Sequence, residues 1–217
     1  MGSDTPTACL SVIARRLGEA MPNLERDRLF PLEKTARVHA RELYESIADL
    51  PIFSPHGHTD PAGFALDAPF PDPAQLFVTP DHYLLRMLYS QRVPLEDLGI
   101  ARTDGTPVES DSRTIWRKFA AHYYLFRATP SQLWMDHALA EVFGVTETLN
   151  ADTADAIYDH ISACLAKPGY RPRALFDRFS IAALATTDAA LDPLDHHQTI
   201  ADAAWSGRVI PTYRPDA

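Results

Sequence analysis

Apolar residues recur along this chain at two spacings. From Ala8 to Ala20, Leu10, Ile13, Ala14 and Leu17 fall on one stripe of a helix. From Leu32 to Leu50, Ala36, Ala40, Leu43 and Ile47 repeat the pattern, and Pro51 ends it. An apolar run beginning at Ile52 follows at once, so a helix feeds a buried strand, the alternation of a parallel sheet. Between Pro61 and Phe179 the pattern carries helix signals and no convincing strand. Pro80-Asp81 opens a helix through Tyr83, Leu84, Met87 and Leu88. Ser110-Asp111 caps a long aromatic helix holding Ile115, Trp116, Phe119, Tyr123 and Phe126. Thr129-Pro130 starts another, which runs to Phe143 with Gly144 as its stop, and a further helix covers Asp152 to Ala166. The Trp and Phe stripes read as packing between helices rather than as a ligand box.

Alternation then returns. Ile181 to Asp188 is an apolar run that turns polar at its end, Asp195 to Trp205 reads as a helix stopped by Gly207, and Val209 to Arg214 is a third strand-like run. Each strand candidate ends in polar or charged residues: His56 and His58, Thr187 and Asp188, and Arg214. Parallel α/β folds carry their chemistry at the C-terminal strand ends. The pattern fits the first three strands of a (β/α)8 barrel with a large all-helical insertion after the first strand. It also fits the start of an open doubly wound sheet. The segments divide as 1–60, the N-terminal helices and first strand; 61–179, the helical insertion; and 180–217, the second and third strands.

Composition narrows the function classes. Hydrophobic residues make up 46% of the 217 positions, enough for a core and too many for a disordered chain. The net charge of −9 argues against a nucleic-acid partner, while leaving room for a local arginine site for an acidic ligand. Neither Cys9 nor Cys164 has metal-ligand spacing, which suits a reducing cytoplasm. The N-terminus shows no signal-peptide pattern, and no apolar segment approaches the roughly 20 residues of a membrane span, so no membrane association is expected. G-x-G-x-x-G and Walker A motifs are absent, so nothing points to nucleotide.

The sharpest motif is Ile52-Phe53-Ser54-Pro55-His56-Gly57-His58, closed by Thr59-Asp60-Pro61. If Ile52 to His58 is a strand, His56 and His58 point to the same side, and two imidazoles at a strand end can grip one divalent metal. Gly57 between them lets other backbone approach closely. A chance pairing competes with that reading, since the chain holds nine histidines.

These residues resemble the opening of the amidohydrolase superfamily, and within it the uronate (glucuronate) isomerase family. The supporting landmarks come in the family's order: Pro51-Ile52-Phe53 leading into His56-x-His58, then Asp81-His82-Tyr83 and Arg86, then Thr186-Thr187-Asp188 and Asp195-His196-His197, and last Pro211-Thr212-Tyr213-Arg214-Pro215-Asp216. The resemblance covers the chain from about residue 30 onward and is to the family's N-terminal portion. It implies reversible aldose–ketose isomerisation of a hexuronate, D-glucuronate to D-fructuronate and D-galacturonate to D-tagaturonate. It further implies a divalent metal held by His56 and His58, expected to be zinc, although two imidazoles suit iron, nickel or copper alike. His82 and Tyr83 match a substrate-contacting pair, and Arg214 an arginine that binds the sugar acid. Without the resemblance, His82 and Tyr83 read as helix-start residues and Arg214 as a surface arginine. Asp188 sits where a site residue could sit, with a cap of the next helix as the competing reading, and His196 and His197 read as structural or exposed.

The family's barrel has eight strands and this chain supplies about three, so the remaining metal ligands and the proton-transfer group are expected beyond Ala217. The chain alone is therefore expected to show little or no turnover, and to work as part of a longer protein, with a complementing C-terminal chain, or as a homo-oligomer. A metal-dependent hydrolase of the same superfamily, and a non-catalytic helical fragment or pseudoenzyme, are the competing readings.

Overall fold

The computed structural model describes residues 24–214. The expected helix over Ala8–Ala20 lies outside the described residues, as does Cys9. In chain order the elements are α1 (Lys34–Ile47), β1 (Ile52–Ser54), α2 (Pro61–Leu66), α3 (Pro73–Phe77), α4 (His82–Ser90), α5 (Ser112–Ala121), α6 (Pro130–His137), α7 (Ala154–Leu165), α8 (Pro172–Arg178), β2 (Ile181–Ala185), β3 (Asp188–Ala189), α9 (Asp195–Asp202), β4 (Val209–Ile210) and β5 (Tyr213–Arg214). The protein mixes helices with a few parallel strands. The chain divides into two compact units. One holds the described residues up to Arg37 together with Pro71–Cys164, and the other holds Val38–Phe70 and everything from Leu165.

The first unit is helical. Asp72, Asp81 and Asp111 each precede a helix and accept hydrogen bonds from its first free backbone N–H groups, as short acidic caps do. Thr129 does the same for α6, where Pro130 takes the first helical position. The aromatic stripe predicted from the sequence is the core: Trp116, Phe119 and Phe126 are buried with Leu84, Leu88, Leu98 and Ile161. Trp116 satisfies its indole N–H on the carbonyl of Ala154, 2.9 Å away. The long aromatic helix is shorter than expected. It ends at Ala121, and a 3-10 turn over Tyr123–Phe126 carries the stripe onward. The helix from Pro130 likewise passes into a π turn at Ala138–Val142 before Gly144, whose φ of 71° is the left-handed stop that glycine permits.

The second unit holds the strands. β1, β2 and β4 form a parallel sheet in that order, and β3 pairs in parallel with β5. The run Ile181–Asp188 therefore breaks between Ala185 and Asp188, and the run Val209–Arg214 breaks at Pro211-Thr212. Proline cannot donate to a ladder, which accounts for the second gap. Thr186 N–H still reaches the carbonyl of Ile210 at 2.9 Å, so the two broken strands stay side by side. Phe64, Phe176, Leu184, Ile200 and Val209 form the core, with Trp205 stacked on Phe64 and edge-on to Phe176. Arg173 donates to the carbonyls of Phe64 and Ala65, satisfying the C-terminal end of α2.

Two expectations about burial need correction. α1 forms over the expected residues but buries none of them, and Leu43 and Ile47 stay exposed. β1, expected as a buried strand, lies at a sheet edge with Phe53 70% exposed. Both apolar faces lack a covering partner among the described residues. No helix among those residues is long and apolar enough to cross a membrane.

Candidate functional site

The ladder between β1 and β2 ends at Ser54, because Pro55 has no N–H to offer. The expected strand from Ile52 to His58 is thus only three residues long, and His56 and His58 stand in the loop beyond it. They meet nonetheless. Their Nε2 atoms are 3.1 Å apart, with the rings edge-to-face at 4.9 Å between centroids. Two nitrogens bound to one tetrahedral zinc at about 2.0–2.1 Å would sit roughly 3.3 Å apart. The pair therefore fits two corners of such a site, and both rings are exposed enough to receive an ion. Among the described residues there is no group of three or more His, Cys, Asp or Glu side chains arranged to hold a metal, and catalytic zinc takes three protein ligands. Gly57 matters less for space than expected, since an added Cβ would reach ordinary contact, 3.4 Å, with the carbonyl oxygen of Ala185.

Beside His58 lies a pocket of about 440 Å³, whose walls include Asp60, Thr187, Asp188, His196 and His197. Several of these groups are already engaged. Asp60 caps α2 by accepting from the N–H of Ala62 at 2.8 Å. Asp188 is buried on β3 and accepts from the Thr186 hydroxyl at 2.7 Å and the Thr212 N–H at 3.2 Å. It does not cap the following helix: α9 is preceded by Leu194, with no side-chain cap. Thr186 is buried as well, and its oxygen lies 2.8 Å from His197 Nε2. His196 is exposed, but His197 is only 8% exposed. On the other side of this network Thr187 donates its hydroxyl to the carbonyl of Gly57 at 2.7 Å, reaching the loop between the two imidazoles.

Arg214 is half-buried on β5, opposite Ala189 of β3, the strand whose Asp188 lines the pocket. His82 and Tyr83 open α4 in the first unit, where both are exposed and their rings lie 4.2 Å apart behind the Asp81 cap. The structure thus brings His56 and His58 together in one unit, and His82 and Tyr83 together in the other. Thr186, Thr187 and His197 were visible in the sequence as landmarks of the resemblance but were given no role in the site there. The polar end of β2 and the paired histidines at a helix start marked the positions, but their partners are set by long-range contacts.

The chain is similar to known proteins over most of its length. The glucuronate isomerase family profile matches residues 27–217. The uronate isomerase of Mesorhizobium japonicum is 61% identical over 191 residues, covering 88% of this chain and 41% of that protein. The uronate isomerase of Rhizobium meliloti is 54% identical over 194 residues, again covering 41% of its length. Among solved structures, glucuronate isomerase from Caulobacter crescentus matches with a TM-score of 0.85 at 53% identity, covering 88% of this chain and 40% of that one. Uronate isomerase from Thermotoga maritima matches with a TM-score of 0.77 at 25% identity, covering 89% and 40%. The chain spans about two fifths of the length of the relatives it matches. With the family profile extending from residue 27 across both units, this chain belongs to the glucuronate isomerase family.

Proposed function

We propose that this chain is the N-terminal portion of a uronate isomerase, and that it contributes metal and substrate ligands to the interconversion of aldose and ketose hexuronates. The reaction takes D-glucuronate to D-fructuronate and D-galacturonate to D-tagaturonate. The observation that carries the reading is the 3.1 Å approach of His56 Nε2 to His58 Nε2 in a chain of this family.

Moving a proton between C2 and C1 of the sugar requires a base and a means of holding negative charge on the substrate oxygens. A bound divalent metal, in this reading zinc, supplies that charge stabilisation as a Lewis acid. His56 and His58 would hold it through Nε2. Arg214 would clamp the substrate carboxylate, which a guanidinium fork matches in shape and charge. His82 and Tyr83 would orient the sugar hydroxyls. The further metal ligand and the proton-transfer group would come from the remaining barrel strands, which pair with the exposed edge of β1 and cover the apolar face of α1. Residues 52–54, 181–189 and 209–214 would then be the first three strands of a (β/α)8 barrel, with the helices between Pro61 and Phe179 inserted after the first. A cytoplasmic location suits a sugar-acid isomerase with a free buried thiol at Cys164.

Coupled assay of D-glucuronate isomerisation tests the reading. The 217-residue chain alone is expected to give no measurable turnover. Turnover is expected when it is combined with a polypeptide matching the remaining three fifths of a relative, and is expected to disappear with His56→Ala. Full turnover by the chain alone would overturn the division of the site. Turnover by the combination that is indifferent to His56 would overturn its role as a ligand.

A further inference from the structure

We propose that Thr187 is a positioning residue for the His56–His58 pair, fixing the backbone between the two imidazoles so that both aim at one cation. The inference rests on the metal-pair reading above. The β1 ladder stops at Ser54, Pro55 has no N–H, and residues 55–60 adopt no regular structure. Within the loop, the Ser54 hydroxyl reaches the carbonyl of His56 only at 3.4 Å, a long hydrogen bond. Two exposed imidazoles on such a segment would ordinarily sample many separations, and a 3.1 Å approach would be a minor state.

Thr187 supplies the missing constraint. Its hydroxyl donates to the Gly57 carbonyl at 2.7 Å, across 130 positions of sequence. Gly57 is the residue between the two histidines, so one bond restrains both neighbours. The anchor is itself firm. On one side Thr186 is buried, tied to Ile210 through its backbone, to Asp188 through its hydroxyl, and in contact with His197 Nε2. On the other side Asp188 is buried and paired with Tyr213 across β3 and β5. Thr187 thus stands between two residues that cannot move without disrupting a buried network. It also lines the pocket that His58 lines, so the tether and the imidazole face the same space. Partners that orient metal ligands commonly change metal affinity by about 10–100-fold when removed.

The test uses the 217-residue chain and three variants. Thr187→Val keeps the shape of the side chain and removes the hydroxyl, Thr187→Ser keeps the hydroxyl, and His56→Ala removes a ligand. The first readout needs no metal: the NMR cross-peak between His56 and His58 ring protons. It is expected in the unaltered chain and in Thr187→Ser, and is expected to vanish in Thr187→Val while the melting temperature stays put. The second is the zinc dissociation constant, expected to weaken about tenfold in Thr187→Val, to recover in Thr187→Ser, and to collapse in His56→Ala. An unchanged cross-peak and unchanged zinc affinity in Thr187→Val would overturn the proposal while leaving the metal pair intact. A lost cross-peak with zinc affinity insensitive to His56→Ala would overturn the metal reading instead, and with it the purpose assigned to the tether.

Discussion

Thr186 Oγ1 lies 2.8 Å from His197 Nε2, and both residues are buried. A hydroxyl has one proton, and Thr186 gives its proton to Asp188 Oδ2 at 2.7 Å. It must then accept from His197, which places an imidazole proton on Nε2. His197 Nδ1 is buried and has no hydrogen-bond partner among the described residues. The network under the strand ends is therefore directional, with Thr186 as its hub.

Thr186→Val is the substitution that exposes this role. It removes the hub without changing volume, leaving the His197 N–H without its acceptor and Asp188 with one fewer donor. The expected loss is about 2–3 kcal/mol, and Thr186→Ser should recover most of it. Urea denaturation, with hydrogen exchange at β2 and β4 amides to assign the loss to that unit, measures both.

The aromatic core of the first unit sets a second expectation. Phe119 is fully buried and contacts Trp116, Tyr123 and Phe126 at ring-centroid distances of 5.5–5.8 Å. Phe119→Ala should cost about 3–5 kcal/mol through lost burial and the cavity left behind. Phe119→Leu should cost clearly less. Calorimetric unfolding of the two variants compares them directly.

Arg173→Lys tests whether charge alone suffices at the end of α2. The guanidinium donates to two carbonyls at 2.8 and 3.1 Å and lies 5.2 Å from the Trp205 ring centre. A lysine is a point charge and cannot serve both carbonyls in that geometry. About 1–2 kcal/mol should be lost, with Trp205 fluorescence shifting as its packing loosens. An unchanged spectrum and stability would show that the fork is dispensable.

Acid should weaken the helical unit through its caps. The Thr114 hydroxyl, aided by the N–H groups of Thr114 and Arg113, holds the Asp111 carboxyl below its ordinary value of 3.8. Hydrogen bonds from Arg117 and Arg113 do the same for Asp155. A carboxyl whose folded pKa is lowered binds fewer protons folded than unfolded. Its contribution is fully present above 3.8 and fades as pH falls through the lower folded value. The melting-temperature gap between the unaltered chain and Asp111→Asn should therefore shrink between pH 6 and about pH 2. A gap that stayed constant over that range would refute the assignment.

Much of the helical organisation was legible along the chain because it is local. Asp81, Asp111 and Thr129 announce their helices by capping backbone groups two or three residues away. The stripe from Ile115 to Phe126 announces its buried face by spacing alone. Three strand-like runs were also visible, and their parallel order followed from alternation with helices. The positions that failed are those governed by distant partners. The length of β1 was overread because the His-x-His alternation was taken to continue the strand to His58, whereas the ladder ends at Ser54, before Pro55. His197 was set aside because adjacent histidines at a helix start look alike in sequence, although one is exposed and its neighbour is buried on Thr186.

The same distinction separates the two halves of the candidate site. The His-x-His spacing puts two imidazoles within reach of each other wherever the segment lies, and covalent proximity is a property of sequence. Their meeting at 3.1 Å depends on Gly57 being held by Thr187, a residue 130 positions away. No periodicity or propensity encodes that bond. It exists only because β1 and β2 lie side by side and end at the same level, so that a hydroxyl at the end of one strand can reach a carbonyl in the loop after the other.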